Sequence, residues 1–103
     1  MSSKYVAEFL GTFIFVLLIL FSIKWAKSVN ASFLIPLCVG LGLIAGILIC
    51  AGSGGDAHLN PAVSCTFFAK GDINIKQLIG YSFSQIAGSL FAFLVYKYTS
   101  ELK

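Results

Sequence analysis
Residues 53–65 read SGGDAHLNPAVSC. The chain's lone histidine, His58, and an Asn-Pro pair, Asn60-Pro61, stand here between long apolar runs. Asn60 is a preferred helix N-cap, and Pro61 is suited to the first helical position, where a missing N–H costs little. The segment LNPAVSCTFFA from Leu59 to Ala69 is apolar enough to enter a bilayer but about half the length needed to cross one. A flexible Gly-Ser-rich stretch precedes it, and Lys70-Gly71-Asp72 after it is a helix stop. The expectation is a re-entrant half-helix over about 60–69, in from one face and back to the same face. Irregular backbone is forbidden against lipid, so this piece must be wrapped by protein or line a water-filled cavity.

Composition supports a lipid environment. Of 103 residues, 58% are hydrophobic and 11% charged, and mean hydropathy is +0.94. A soluble chain this short cannot hide so much apolar surface. Three runs are expected to span: about 5–23, 33–51 and 77–96. Each approaches the ~30 Å of a hydrocarbon core at about 1.5 Å per residue. No cleavage signal follows the first run, which is expected to be retained. Pro36 falls in the first turn of the second. Lys24, Trp25, Lys27, Tyr96, Lys97 and Tyr98 read as interfacial anchors. The fold class expected is an all-α membrane protein, with three transmembrane helices and one re-entrant half-helix in a single repeat over 1–103. The net charge of +3 is too small and scattered for nucleic acid. Cys38, Cys50 and Cys65 suit small core positions. No nucleophile–base set, metal cluster or phosphate loop is present, so no enzyme, metal or cofactor is expected.

A helix that begins part-way into the bilayer has chemistry of its own. The Asn60 oxygen can accept from the N–H of residue 62 or 63, which fixes the direction of its NH2 donors. The helix start carries roughly half a positive charge from unpaired N–H groups. It would welcome a solute that accepts hydrogen bonds and repel a cation. Glu8 sits about one turn into the first span, where a charge costs roughly 2.5–3.5 kcal/mol and calls for a partner. Gln85 reads as interhelical or loop-supporting glue. Gly40, Gly42 and Gly46 form a small-residue surface suited to close helix packing or pore clearance. The phenylalanines read as lipid-facing or core.

These residues carry a resemblance. Gly55-Asp56-Ala57-His58-Leu59-Asn60-Pro61-Ala62-Val63 resembles the first signature loop of the aquaporin and glycerol-facilitator family. Asp56 stands as an apparent insertion where that family usually has Ser-Gly-Ala-His. AEFLGTF at 7–13 resembles the start of the family's first helix, GLG at 40–42 the second helix of its glycerol-conducting branch, and Tyr81, Gln85 and Gly88 its third. The resemblance covers one of the family's two inverted repeats, each of three spans and a half-helix. It implies that Ala57, His58, Asn60, Pro61, Ala62 and Val63 border a solute path. It implies that Glu8 braces the re-entrant loop through His58 or loop N–H groups. Val39 falls where the family's second helix contributes an aromatic filter residue. With Val39 there and no arginine in the chain, the constriction is expected to be wide and weakly selective between water and small polyols.

One such repeat encloses no pore, so a second wall is required. With the amino terminus inside, Lys4, Lys70 and Lys76 face Lys24, Lys27, Lys97 and Lys103 across the membrane, which is no positive-inside bias. The expected function is therefore a passive channel for water or small neutral solutes such as glycerol, built from two inverted copies. The alternatives are a non-conducting fragment or a split half that needs a separate second repeat. A small dual-topology proton-coupled exporter using Glu8 is a further alternative.

Overall fold
A computed structural model describes residues 3–101; Lys103, counted above, lies outside them. Four helices account for nearly all of it: α1 (Ser3–Ser28), α2 (Ile35–Gly52), α3 (Pro61–Lys70) and α4 (Ile75–Glu101), with a single 3-10 turn, Ser32–Leu34, leading into α2. No strand occurs among the described residues. Three helices are long and apolar enough to cross a membrane, over Lys4–Ser28, Ser32–Gly52 and Ile75–Ser100. The longest dimension, 45 Å, matches a bilayer with its headgroups, about 40–45 Å.

The helices outrun the apolar runs for local reasons. Hydropathy reports the hydrocarbon core, whereas α1 continues through Lys24, Lys27 and Ser28 and α4 through Lys97, where the headgroups lie. α4 starts early because Asn74 and Gln77 cap it reciprocally. The Gln77 N–H donates to Asn74 Oδ1 at 2.8 Å, and the Asn74 N–H donates to Gln77 Oε1 at 2.9 Å.

α1 is the central element, packed against α2 on one side and α4 on the other, while α3 packs on α4. Small residues govern the α1–α2 contact. A Cβ on Gly46 would sit 2.7 Å from the Gly11 carbonyl oxygen, and one on Gly11 would sit 2.8 Å from that of Gly46. Gly42 meets Leu18 and Phe15 at ordinary contact distance. Gly40, expected with them, has nothing within 4 Å of a built Cβ and is exposed. It lies off the α1-facing stripe, since two residues before Gly42 is about 200° round the helix. On the α4 side, Gly88 lies against the backbone of Phe9.

The interior is correspondingly small and partly polar. Ala7, Cys50 and Leu59 form a buried cluster with Phe15 and Ala57 packed on it. Glu8, Thr12, His58, Ser64 and Gln85 are buried beside them. Large apolar side chains such as Leu48, Ile79, Phe83 and Leu90 point outwards. That inversion is what a lipid solvent allows: apolar surface need not be hidden, but backbone and polar groups must be satisfied internally.

Candidate functional site: the braced half-helix
α3 has 10 residues, about 15 Å, half the thickness of a hydrocarbon core. Leu59, just before it, packs against Gly11 and Gly46, so the helix starts at mid-depth along α1 and α2. The chain leaves at Gly71, left-handed at φ 96°, and Asp72 returns to the pocket that Lys4 and Asp56 also line. The segment therefore goes in and out through one end of the bundle.

Reaching mid-depth requires an awkward backbone. Ala57 and Leu59 both adopt φ 59°, a region that costs a non-glycine residue about 1–2 kcal/mol. Buried N–H groups there have no helix to bond to. Glu8, wholly buried on α1, supplies the partners. Its Oε1 accepts from the Leu59 N–H at 2.9 Å and its Oε2 from the His58 N–H at 3.1 Å. Gln85 Nε2 on α4 donates to the same Oε1 at 3.1 Å, and Cys50 Sγ on α2 lies 3.5 Å from Oε2. One carboxyl thus ties α1, α2, α4 and the loop together. Both oxygens are occupied by donors.

The network continues into α3. Gln85 Nε2 also donates to Ser64 Oγ at 3.0 Å, and Ser64 Oγ lies 2.9 Å from His58 Nδ1. An amide nitrogen only donates, so the Ser64 hydroxyl accepts from Gln85 and bridges it to the His58 ring nitrogen. The ring stacks on Phe67 at 4.7 Å and meets Tyr81 edge-on. His58 is therefore held on three sides.

Asp56, the apparent insertion, secures the loop's outer limb. Tyr81 Oη donates to its Oδ2, and Lys4 Nζ lies 3.3 Å from its Oδ1. The Tyr81 hydrogen bond, followed by the Lys4 ammonium, holds the Asp56 carboxyl below the usual carboxylate range.

At the inner limb, Asn60 Oδ1 accepts from the Ala62 N–H at 2.8 Å, the cap expected from the sequence. Its NH2 has no partner among the described residues, and Asn60 is exposed in the single chain. It borders a cavity of about 320 Å³ with Ala57, His58, Leu59, Val63, Phe15, Leu43 and Ile47. Of the residues expected along a solute path, Ala57, His58, Asn60 and Val63 meet there. Pro61 and Ala62 form the first turn of α3 and do not line it. Val39 lies a turn before Leu43, on the Leu43–Ile47 stripe but beyond the cavity. Sequence reading missed Phe15, Leu43 and Ile47 in the wall, and Ser64, Cys50, Asp56 and Lys4 in the brace, where Tyr81 had entered only through the resemblance. Spacing offered a signal for some: Phe15 lies a turn beyond Gly11, Ser64 a turn beyond Asn60, and Tyr81 a turn before Gln85.

The comparisons agree with this architecture. Residues 1–102 match the profile of the family described as major intrinsic protein. The chain belongs to the major intrinsic protein family. It is an integral membrane protein, and the family is one of passive membrane channels rather than enzymes. Over 93 residues it is 39% identical to the glycerol uptake facilitator protein of Buchnera aphidicola subsp. Schizaphis graminum, covering 86% of this chain and 35% of that protein. Over 104 residues it is 38% identical to a probable aquaporin of Oryza sativa subsp. japonica, covering 93% and 38%. Over 89 residues it is 39% identical to aquaporin-4 of Mus musculus, covering 82% and 27%. The chain thus spans well under half the length of these relatives. No solved structure gives a significant match.

Proposed function
We propose that this major intrinsic protein chain forms one wall of a passive channel for water or small neutral solutes such as glycerol, and that an inverted second copy closes the path. The observation that carries the reading is the Asn60-capped start of α3 at mid-depth, its amide donors unpartnered beside a one-sided cavity. Lipid cannot satisfy such donors, so a lipid-exposed helix start would be costly. A mirror-related copy would bring a second Asn60 and a second positive helix end to the same point. A solute between them accepts hydrogen bonds from both sides, while cations meet two positive ends. The names of the relatives support water and glycerol as the solute class. The near-even lysine distribution leaves both insertion orientations open to the chain, which an inverted pair needs.

The exporter alternative is weaker on geometry. A proton-carrying carboxyl needs access to water, whereas Glu8 is fully buried with both oxygens held by loop and helix donors. Osmotic swelling of liposomes holding the purified chain, with water and glycerol gradients, tests the proposal. The expected result is permeability above empty liposomes that changes in Asn60→Asp. No rate above empty liposomes, with Asn60→Asp inert, overturns it.

A further inference from the structure
We propose that the end of α1 and α4 opposite the re-entrant loop holds a binding site for the phosphate headgroup of an anionic lipid. A notch of about 240 Å³ opens there, lined by Phe21, Lys24, Trp25, Ser28, Thr99 and Ser100. These residues lie at the closing turns of two membrane spans, which puts the notch at headgroup level. Lys24 Nζ is turned into it, 3.3 Å from Ser100 Oγ and 5.8 Å from the centre of the Tyr96 ring. Ser100 accepts from that ammonium, so its own hydroxyl proton is left to donate. Thr99 brings a second hydroxyl, and Phe21 and Trp25 offer an apolar floor for the glycerol ester and upper acyl chain.

Charge complementarity singles out an anion. At the loop end, Asp56 pairs with Lys4 and Asp72 with Lys70 at 2.9 Å. At the notch end, Lys24, Lys27 and Lys97 have no carboxylate partner among the described residues, and Glu101 is the sole acidic residue of that sequence region. A lipid phosphate supplies the missing counter-charge, and its chains extend along Phe21 in a way that free phosphate cannot use. The inference is independent of whether the chain conducts.

Native mass spectrometry of the detergent-purified full chain tests it, with phosphatidylglycerol, phosphatidylcholine and inorganic phosphate as probes. Phosphatidylglycerol should be retained in preference to phosphatidylcholine, and inorganic phosphate should not displace it. Lys27→Gln removes the same charge outside the notch and should keep that preference. Lys24→Gln should weaken phosphatidylglycerol retention about fivefold or more. Ser100→Val should lower it in part and decides the matter should Lys24→Gln not fold. Equal losses in K24Q and K27Q would mean diffuse surface charge and overturn the site. So would equal retention of the two lipids, no effect of S100V, or displacement by inorganic phosphate.

Discussion

Glu8→Gln is the most informative single change, because it keeps the shape of the brace and alters its hydrogen bonding. The carboxyl accepts from the His58 N–H, the Leu59 N–H and Gln85 Nε2. A glutamine retains one accepting oxygen. Placed at the Oε1 position it keeps Leu59 and Gln85, but as neutral bonds, each weaker by about 1 kcal/mol than one to a charged group. Its NH2 then confronts the His58 N–H, and a buried donor without an acceptor costs about 1–3 kcal/mol. The sum is about 3–5 kcal/mol, against a net stability of about 5–15 kcal/mol for an ordinary domain. The left-handed backbone of Ala57 and Leu59 gives the loop reason to relax once released. Thermal unfolding in detergent should show a fall of about 10 °C or more, and liposome permeability to water should fall with it. A variant that melts and conducts like the parent would refute the bracing role. One that keeps its melting temperature but loses uptake driven by a pH gradient would point to a proton-carrying carboxyl.

Other outcomes follow from the same geometry. Gly46→Ala must push the Gly11 carbonyl aside and should cost about 1–3 kcal/mol, whereas Gly42→Ala should be milder and Gly40→Ala near neutral; melting temperatures rank them. Asp56 has a lowered carboxyl pKa, so its stabilisation is full above the usual aspartate value of about 3.9 and is lost as pH falls below it. Melts from pH 7 downwards should stay flat until well into the acid range, and Asp56→Asn should lower the plateau and flatten the acid limb. Asn60→Asp keeps the oxygen that caps Ala62 and replaces the donating NH2 with a charged acceptor. It should leave the fold intact while reducing the barrier to cations, measured as ion leak in the liposomes that report swelling.

The span count, the re-entrant piece and its Asn60 cap were legible because each rests on local chemistry: apolar length, an N-cap before Pro61, a left-handed Gly71. Glu8 and Gln85 stood out as polar residues in spans, and AEFLGTF and Tyr81-Gln85-Gly88 linked them to the loop by resemblance. What was not legible depends on register between helices. Nothing local says that Ser64 Oγ relays between Gln85 and His58, since a half-helix serine commonly bonds its own backbone. Asp56 reads as a surplus loop residue until Tyr81 and Lys4 are brought to it from α4 and α1. Phe15, Leu43 and Ile47 are indistinguishable by type from lipid-facing neighbours, because in a membrane both faces are apolar. Gly40 shared a motif with Gly42 but not a face with it.

The claim on which the functional account rests is that a second, inverted copy completes the path that one chain leaves open. Its most direct test is the sidedness of the amino terminus, read by labelling an amino-terminal tag with a membrane-impermeant reagent before and after permeabilisation. Comparable populations on both faces are predicted. A tag found on one face alone would contradict the self-paired channel.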